Sequence, residues 1–142
     1  MKIAFQVAFA LASTGVASVE LKGGKTVHKQ FKVPINLNSS DAPCCNISRQ
    51  SPIVELIRQC KVVLIDEATM LQKKAYEAID RTLQDLLRND HVFGGKVVIF
   101  SGDWKQTLPV LPKASRATVV GSTLKSTSFW RNIKQKSLTQ QV

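Results

Sequence analysis

Apolar positions along the chain fall into two patterns. Three runs, Ile3 to Phe9, Val62 to Ile65 and Val97 to Phe100, are continuous rather than alternating, the pattern of strands covered on both faces, as in a parallel sheet. Ala75, Tyr76, Ile79, Leu83, Leu86 and Leu87 instead recur at helical spacing and predict a helix over about Gln72 to Arg88. "SPIVELIRQC" predicts a shorter helix, with Ser51 as its cap and Pro52 at the first helical position. Between Phe31 and Arg49, the turn formers Pro34, Asn36, Asn38, Ser39, Ser40, Asp41 and Pro43 predict an exposed loop. Strand, helix, strand, helix, strand is a doubly wound α/β order, with a mostly parallel sheet and helices on both faces.

Ligands of such sheets bind at the carboxyl ends of the strands. The residues that follow the three runs are "ASTGVAS", "DEATM" and "SGDWKQTLPV". Asp66 and Glu67 end the second strand, a pattern that serves a nucleoside triphosphatase: the first carboxylate orients a magnesium shell and the second polarises the attacking water. Two solvated acids capping the next helix explain the same residues equally simply. After the third strand, Gln106 is placed to sense a terminal phosphate, while Trp104 offers a stacking face and Lys105 a phosphate contact for single-stranded nucleic acid. A Gly-Asp turn followed by a packed Trp is the plainer alternative. Ser13, Thr14 and Gly15 supply small hydroxyls and a glycine, suited to close approach of a nucleic-acid backbone. Three such ends on one sheet point to a nucleic-acid-dependent ATPase.

Charge strengthens the nucleic-acid reading. The chain has 142 residues, about one domain or a piece of something larger, and 20 Lys and Arg against 10 Asp and Glu, a formal charge of +10. From Trp104 to Val142 there are seven bases and no acid, whereas residues 41–103 carry nine acids and eight bases. Cys44, Cys45 and Cys60 form neither a CxxC pair nor a zinc spacing, which points to a reducing compartment and no structural metal. "MKIAFQVAFALASTGVAS" imitates a secretory leader, with cleavage near residue 17 as its consequence; Gln6 interrupts the run. No other stretch is apolar enough to span a membrane.

Four stretches carry a family likeness. "ASTGVAS" resembles motif Ia, "GGKTVHKQFKVPI" the segment after it, "VVLIDEATM" the Walker B motif, and "FGGKVVIFSGDWKQTLPV" motif III with its strand, in the Pif-one-like ATP-dependent DNA helicases of superfamily one, especially the branch found with Helitron transposons. The resemblance implies a RecA-like P-loop NTPase fold, with ATP and Mg2+ as cofactors and 5′ to 3′ unwinding of single-stranded or forked DNA by a monomer. It implies roles in DNA repair, recombination and telomere maintenance, at a nuclear or alternatively mitochondrial location rather than a secreted one. It assigns Asp66 to magnesium, Glu67 to water activation and Gln106 to coupling between the γ-phosphate and DNA. Ser13, Thr14, Gly15, His28, Trp104 and Lys105 fall to the DNA track. It also makes Ile3 to Phe9 a core strand beside the Walker B strand instead of a leader.

The departures are as informative. No GxxxxGK followed by Ser or Thr occurs, and Gly23, Gly24 and Lys25 lack the strand and first Gly that would make them a phosphate loop. The chain is therefore expected to be a partial first motor domain, motif Ia through motif III over residues 1–142, without the P-loop or the second RecA-like domain. Ser101, Trp104 and Lys105 replace the family's usual Gly, Phe and Arg, and "LTQQV" departs from its closing run. His28, among Lys25, Lys29 and Lys32, is either a DNA-backbone contact or part of a solvated basic face; His91 suggests no chemistry. Two rivals stand beside the helicase: a non-catalytic basic module for single-stranded DNA, and a decayed gene fragment whose Val97 to Phe100 strand is left as an uncovered apolar edge.

Overall fold

A computed structural model describes residues 7–106 and 108–138. Four parallel strands form one sheet in the order β2-β1-β3-β4, with β1 at Val7–Ala12, β2 at Lys25–Thr26, β3 at Cys60–Asp66 and β4 at Val97–Phe100. The parallel α/β sheet expected from the apolar runs is present, and the third run matches β4 residue for residue. The first strand continues to Ala12 rather than stopping at Phe9, and Ile3 to Gln6 of the expected strand lie outside the described residues. Lys25–Thr26 was not expected to be a strand; two residues carry too little periodicity to stand out.

Register separates the two faces of the sheet. Phe9, Leu11, Val63, Ile65, Val98 and Phe100 share one face, because Phe9 pairs with Val63 and Val63 with Val98, and Leu11 with Ile65 and Ile65 with Phe100. Helix α4, Lys73–Leu87, packs its apolar stripe there, with Tyr76 edge-on to Phe100 at 5.5 Å between ring centroids. Helix α2, Val27–Phe31, brings Phe31 against Phe9. The opposite face is Ala8, Val62 and Val97, then Ala10, Leu64 and Ile99. None of these six is buried, and on β4 Val97 and Ile99 are 58% and 49% exposed. β4 is also an edge strand, so apolar surface and unpaired backbone coincide there.

Helix ends follow local chemistry. Arg88 closes α4 in the left-handed region at φ 54°, its N–H reaching back to Gln84 and Asp85. Helix α3, Pro52–Gln59, starts with Pro at its first position as expected, although Ser51 makes no side-chain capping bond. Lys96 donates from Nζ to the Arg58 and Cys60 carbonyls and so ties the end of α3 to the start of β3. Helix α1, Gly15–Glu20, and helix α5, Arg116–Gly121, are short and were not legible from periodicity. The 93–95 turn needs its glycine: Gly94 has φ +62° and a Cβ there would sit 2.6 Å from Leu87 Cδ1.

The Phe31 to Arg49 segment is the chief correction. It is irregular, but Phe31, Val33, Leu37 and Cys45 are buried in the core, so it lies against the sheet rather than standing free. Cys45 N–H donates to Thr82 Oγ1 of α4, and Arg81 donates to the Pro43 carbonyl. Burial pushes the Cys45 thiol up to about 11, leaving it neutral and structural. Cys44 is exposed and Cys60 buried. No helix among the described residues is long and apolar enough to cross a membrane.

Two outcomes follow from this packing. Tyr76 is buried and donates to the Ala68 carbonyl at 2.5 Å, so Tyr76→Phe should strand that acceptor and cost about 1–3 kcal/mol in a urea melt. Ile99→Lys should suppress self-association in light scattering while changing stability by no more than about 0.5 kcal/mol, because the side chain points from an open face of an edge strand.

Candidate functional site

β3 brings two carboxylates to its carboxyl end, and backbone hydrogen bonds fasten both neighbouring strand ends to it. Ser13 N–H donates to the Asp66 carbonyl at 3.1 Å, Ser101 N–H to Ile65 at 2.9 Å, and Ala68 N–H back to Ser101 at 2.8 Å. Asp66, Glu67, Thr69, Met70, Gly102, Asp103 and Gln106 line one cavity of ≈ 220 Å³. The second and third strand ends therefore meet, and all three residues expected to serve hydrolysis line the same space. Asp103 joins them unannounced; its place directly after β4 is the signal that could have found it.

Glu67 is held in an uncommon backbone state. It sits in the left-handed region at φ 49°, ψ 42°, where a side chain other than glycine's is strained. Its N–H donates to Asp66 Oδ1 at 2.9 Å, and Tyr76 anchors the next carbonyl at Ala68. Its carboxylate accepts a hydrogen bond from the Thr14 hydroxyl at 3.2 Å, across 53 residues of sequence. The first strand end thus joins the other two through a side chain. Capping of the next helix is not what the acids do: Glu67 occupies the cap position of a 3-10 turn at Ala68–Met70 but its side chain makes no capping bond there, and α4, which starts at Lys73, has no side-chain cap at all.

The remaining expected residues divide. Thr14 also caps α1 by accepting from Ala17 N–H. Ser13 Oγ is buried without a partner among the described residues. Gly15 has no atom within 4 Å of where a Cβ would sit, so neither packing nor backbone conformation accounts for a glycine there. His28 is exposed on α2, apart from the cavity; desolvation lowers its pKa from its ordinary value, so near neutral pH it is an uncharged hydrogen-bonding group. Lys105 is exposed. Trp104 is only half exposed: its ring meets Trp130 edge-on at 5.7 Å, with Lys125 Nζ 4.5 Å from its centroid. The expected stacking face is therefore already in intramolecular contact, which spacing along the chain could not reveal.

Asp66, Glu67 and Asp103 line one space, but among the described residues no three His, Cys, Asp or Glu side chains come together as a metal-holding group, so the chain by itself offers at most the one or two carboxylates that a hydrated Mg2+ takes from protein. No lining side chain of this cavity is cationic, so these residues do not by themselves fit a triphosphate. A larger cavity of ≈ 490 Å³, lined by Lys73, Glu77, Leu111, Pro112 and Thr118 among others, has one carboxylate, and that is paired with Lys73.

The model of the family described as PIF1-like helicase matches residues 1–142. The ATP-dependent DNA helicase RRM3 of Saccharomyces cerevisiae is 31% identical over 127 residues, which cover 89% of this chain and 17% of that protein. Bacteroides Pif1 bound to ssDNA superposes with a TM-score of 0.72 at 26% identity, covering 89% of this chain and 30% of that one. Pif1 from Bacteroides in complex with ADP-AlF3 and ssDNA does so with a TM-score of 0.70 at 28% identity, over 86% of this chain and 29% of that one. The RecA-like fold implied by the motifs holds, and the chain spans less than a third of each of these proteins. With strand ends, motifs and fold in agreement, this chain belongs to the PIF1-like helicase family.

Proposed function

We propose that this chain is the portion of an ATP-dependent DNA helicase motor that carries the hydrolytic carboxylates and part of the track for single-stranded DNA. The observation that carries the reading is the meeting of three strand ends, with Asp66, Glu67 and Gln106 around one cavity and Thr14 bonded to Glu67. Similarity to Pif1 solved with ssDNA and ADP-AlF3 supports it. In this reading Asp66 would hold Mg2+, Glu67 would orient water through its carboxylate, and Gln106 would link the nucleotide to DNA. Ser13, Thr14, Gly15, His28 and Lys105 face the DNA. Bound ATP and Mg2+ supply the phosphoryl group and its charge neutralisation. Within a longer protein, the expected work is 5′ to 3′ unwinding of forked DNA by a monomer, in nuclear or mitochondrial repair, recombination and telomere maintenance.

By itself the chain should not hydrolyse ATP. Catalysis of phosphoryl transfer is mostly positioning, and no cation lines the cavity. Phosphate release from the pure chain with oligothymidylate and Mg-ATP should equal that of Glu67→Gln; a DNA-stimulated rate that Glu67→Gln abolishes would overturn this.

The binding-module rival shares the DNA track, so binding without ATP is expected of both, and salt reports its mechanism. Oligothymidylate affinity should fall linearly on a log–log plot against salt, with a slope of about −0.7 per phosphate contacted. Trp104→Ala should act on the fold first, lowering stability by roughly 1–3 kcal/mol through loss of its contacts with Trp130 and Lys125. A Trp104→Ala chain of unchanged melting temperature but weakened DNA binding would restore the free stacking face.

A further inference from the structure

Building on the reading of Glu67 and Ser13–Gly15 given above, we infer that Thr14 is a positioning residue that restrains the Glu67 carboxylate until a phosphate of single-stranded DNA takes over its hydroxyl proton. The starting observation is a single hydrogen bond, Thr14 Oγ1 donating to Glu67 Oε2 at 3.2 Å. The same oxygen accepts from Ala17 N–H at 3.3 Å. A threonine hydroxyl has one proton and can direct it to one acceptor. In this structure that proton is committed to Glu67, and a phosphate oxygen approaching the same hydroxyl must compete for it.

The surroundings suit such an exchange. Thr14 and Glu67 are both half-buried, so each is open on one side. Above the adjacent Gly15, the space a Cβ would occupy has no neighbour within 4 Å, which leaves room for a nucleic-acid backbone beside the hydroxyl. At 3.2 Å the bond to Glu67 is long for a hydroxyl donating to a carboxylate, so a phosphate oxygen that comes closer competes effectively for the same proton. No proton leaves Thr14; only its acceptor changes.

Backbone rigidity confines the consequence to the side chain. Ser13 N–H is bonded to the Asp66 carbonyl, Ala68 N–H to Ser101, and Glu67 N–H to Asp66 Oδ1. Glu67 is already in a strained left-handed conformation that these bonds hold in place. A carboxylate released by Thr14 can therefore move only through its own torsions, within reach of the cavity shared with Asp66 and Gln106. Occupation of the first strand end by DNA is read at the second strand end across one hydrogen bond.

The test uses the whole 142-residue chain and a fluorescent oligothymidylate. The Glu67 side-chain carboxyl carbon, identified by its loss in Glu67→Gln, is followed by NMR during titration while anisotropy reports binding. The resonance should shift along the binding isotherm. In Thr14→Val it should be displaced without DNA and respond little on saturation; Thr14→Ser should restore the wild-type response. Linkage is reciprocal. Replacing the charged acceptor by Glu67→Gln should tighten oligothymidylate binding about threefold in the wild type and markedly less in Thr14→Val, a cycle that cancels the simple loss of a negative charge. Binding without movement of the wild-type Glu67 resonance overturns the inference alone, whether or not Thr14→Val folds. Equal effects of Glu67→Gln in both backgrounds also overturn it. Failure to bind the oligothymidylate at all overturns the DNA-track reading and the inference with it.

Discussion

The parallel ladder of β3 with β1 on one side and β4 on the other is the constraint from which the rest of the structure follows. Parallel pairing sends every strand's carboxyl end to the same edge of the sheet. Segments that begin at Ser13, Glu67 and Ser101 must therefore leave the sheet side by side. The ladder then runs past the strands themselves, through Ser13 to Asp66, Ser101 to Ile65 and Ala68 to Ser101. A one-residue slip of β3 would turn Val63 and Ile65 out of the core and carry the two carboxylates away from Thr14 and Gln106 together. Core packing and site geometry are thus specified by one register.

That dependence explains where the strain lies. A left-handed glutamate costs of order 1–3 kcal/mol and persists only where its surroundings over-determine it. Three neighbours do so: Asp66 Oδ1 takes the Glu67 N–H, Ser101 takes the Ala68 N–H, and Tyr76 takes the Ala68 carbonyl from the buried side. Tyr76 itself is held by Phe100, the last residue of β4. The core beneath the sheet edge and the turn above it are one mechanical unit, so residues that do not line the cavity fix the backbone that does.

Elements whose information is local were legible in the sequence. The α4 stripe and the Val97 to Phe100 run were readable because burial of one stripe or one whole strand imposes the period directly. "IDEATM" and "DWKQ" likewise marked the cavity because carboxylates at strand ends are conspicuous. What escaped is non-local. The loop around Leu37 and Cys45 looks polar by composition, yet Val33, Leu37 and Cys45 are buried in the core while Ile35 stands fully exposed, a split that no spacing along the chain marks. Trp104 looks free until Trp130 and Lys125 are brought to it. Thr14 looks like one hydroxyl among several, and only the β1–β3 register shows that it lies against Glu67.

Charge separates what this site can do from what it cannot. The chain is strongly basic, yet the cavity gathers Asp66, Glu67 and Asp103 without a cation among its lining residues. Mutual repulsion of these acids is tolerable because the site is open to water, whose high dielectric weakens it. The same acids repel any approaching phosphate unless a divalent cation neutralises them or cations come from elsewhere. Residues such as Lys105 and Lys113 are exposed outside the cavity, and there they favour a polyanion passing along the surface over one entering the cavity. The division of sign, acidic within and basic without, therefore sorts two anionic ligands by position. In the proposed function, that division would place a nucleic-acid strand across the strand ends, where Thr14 lies, and metal chemistry at the carboxylates behind it.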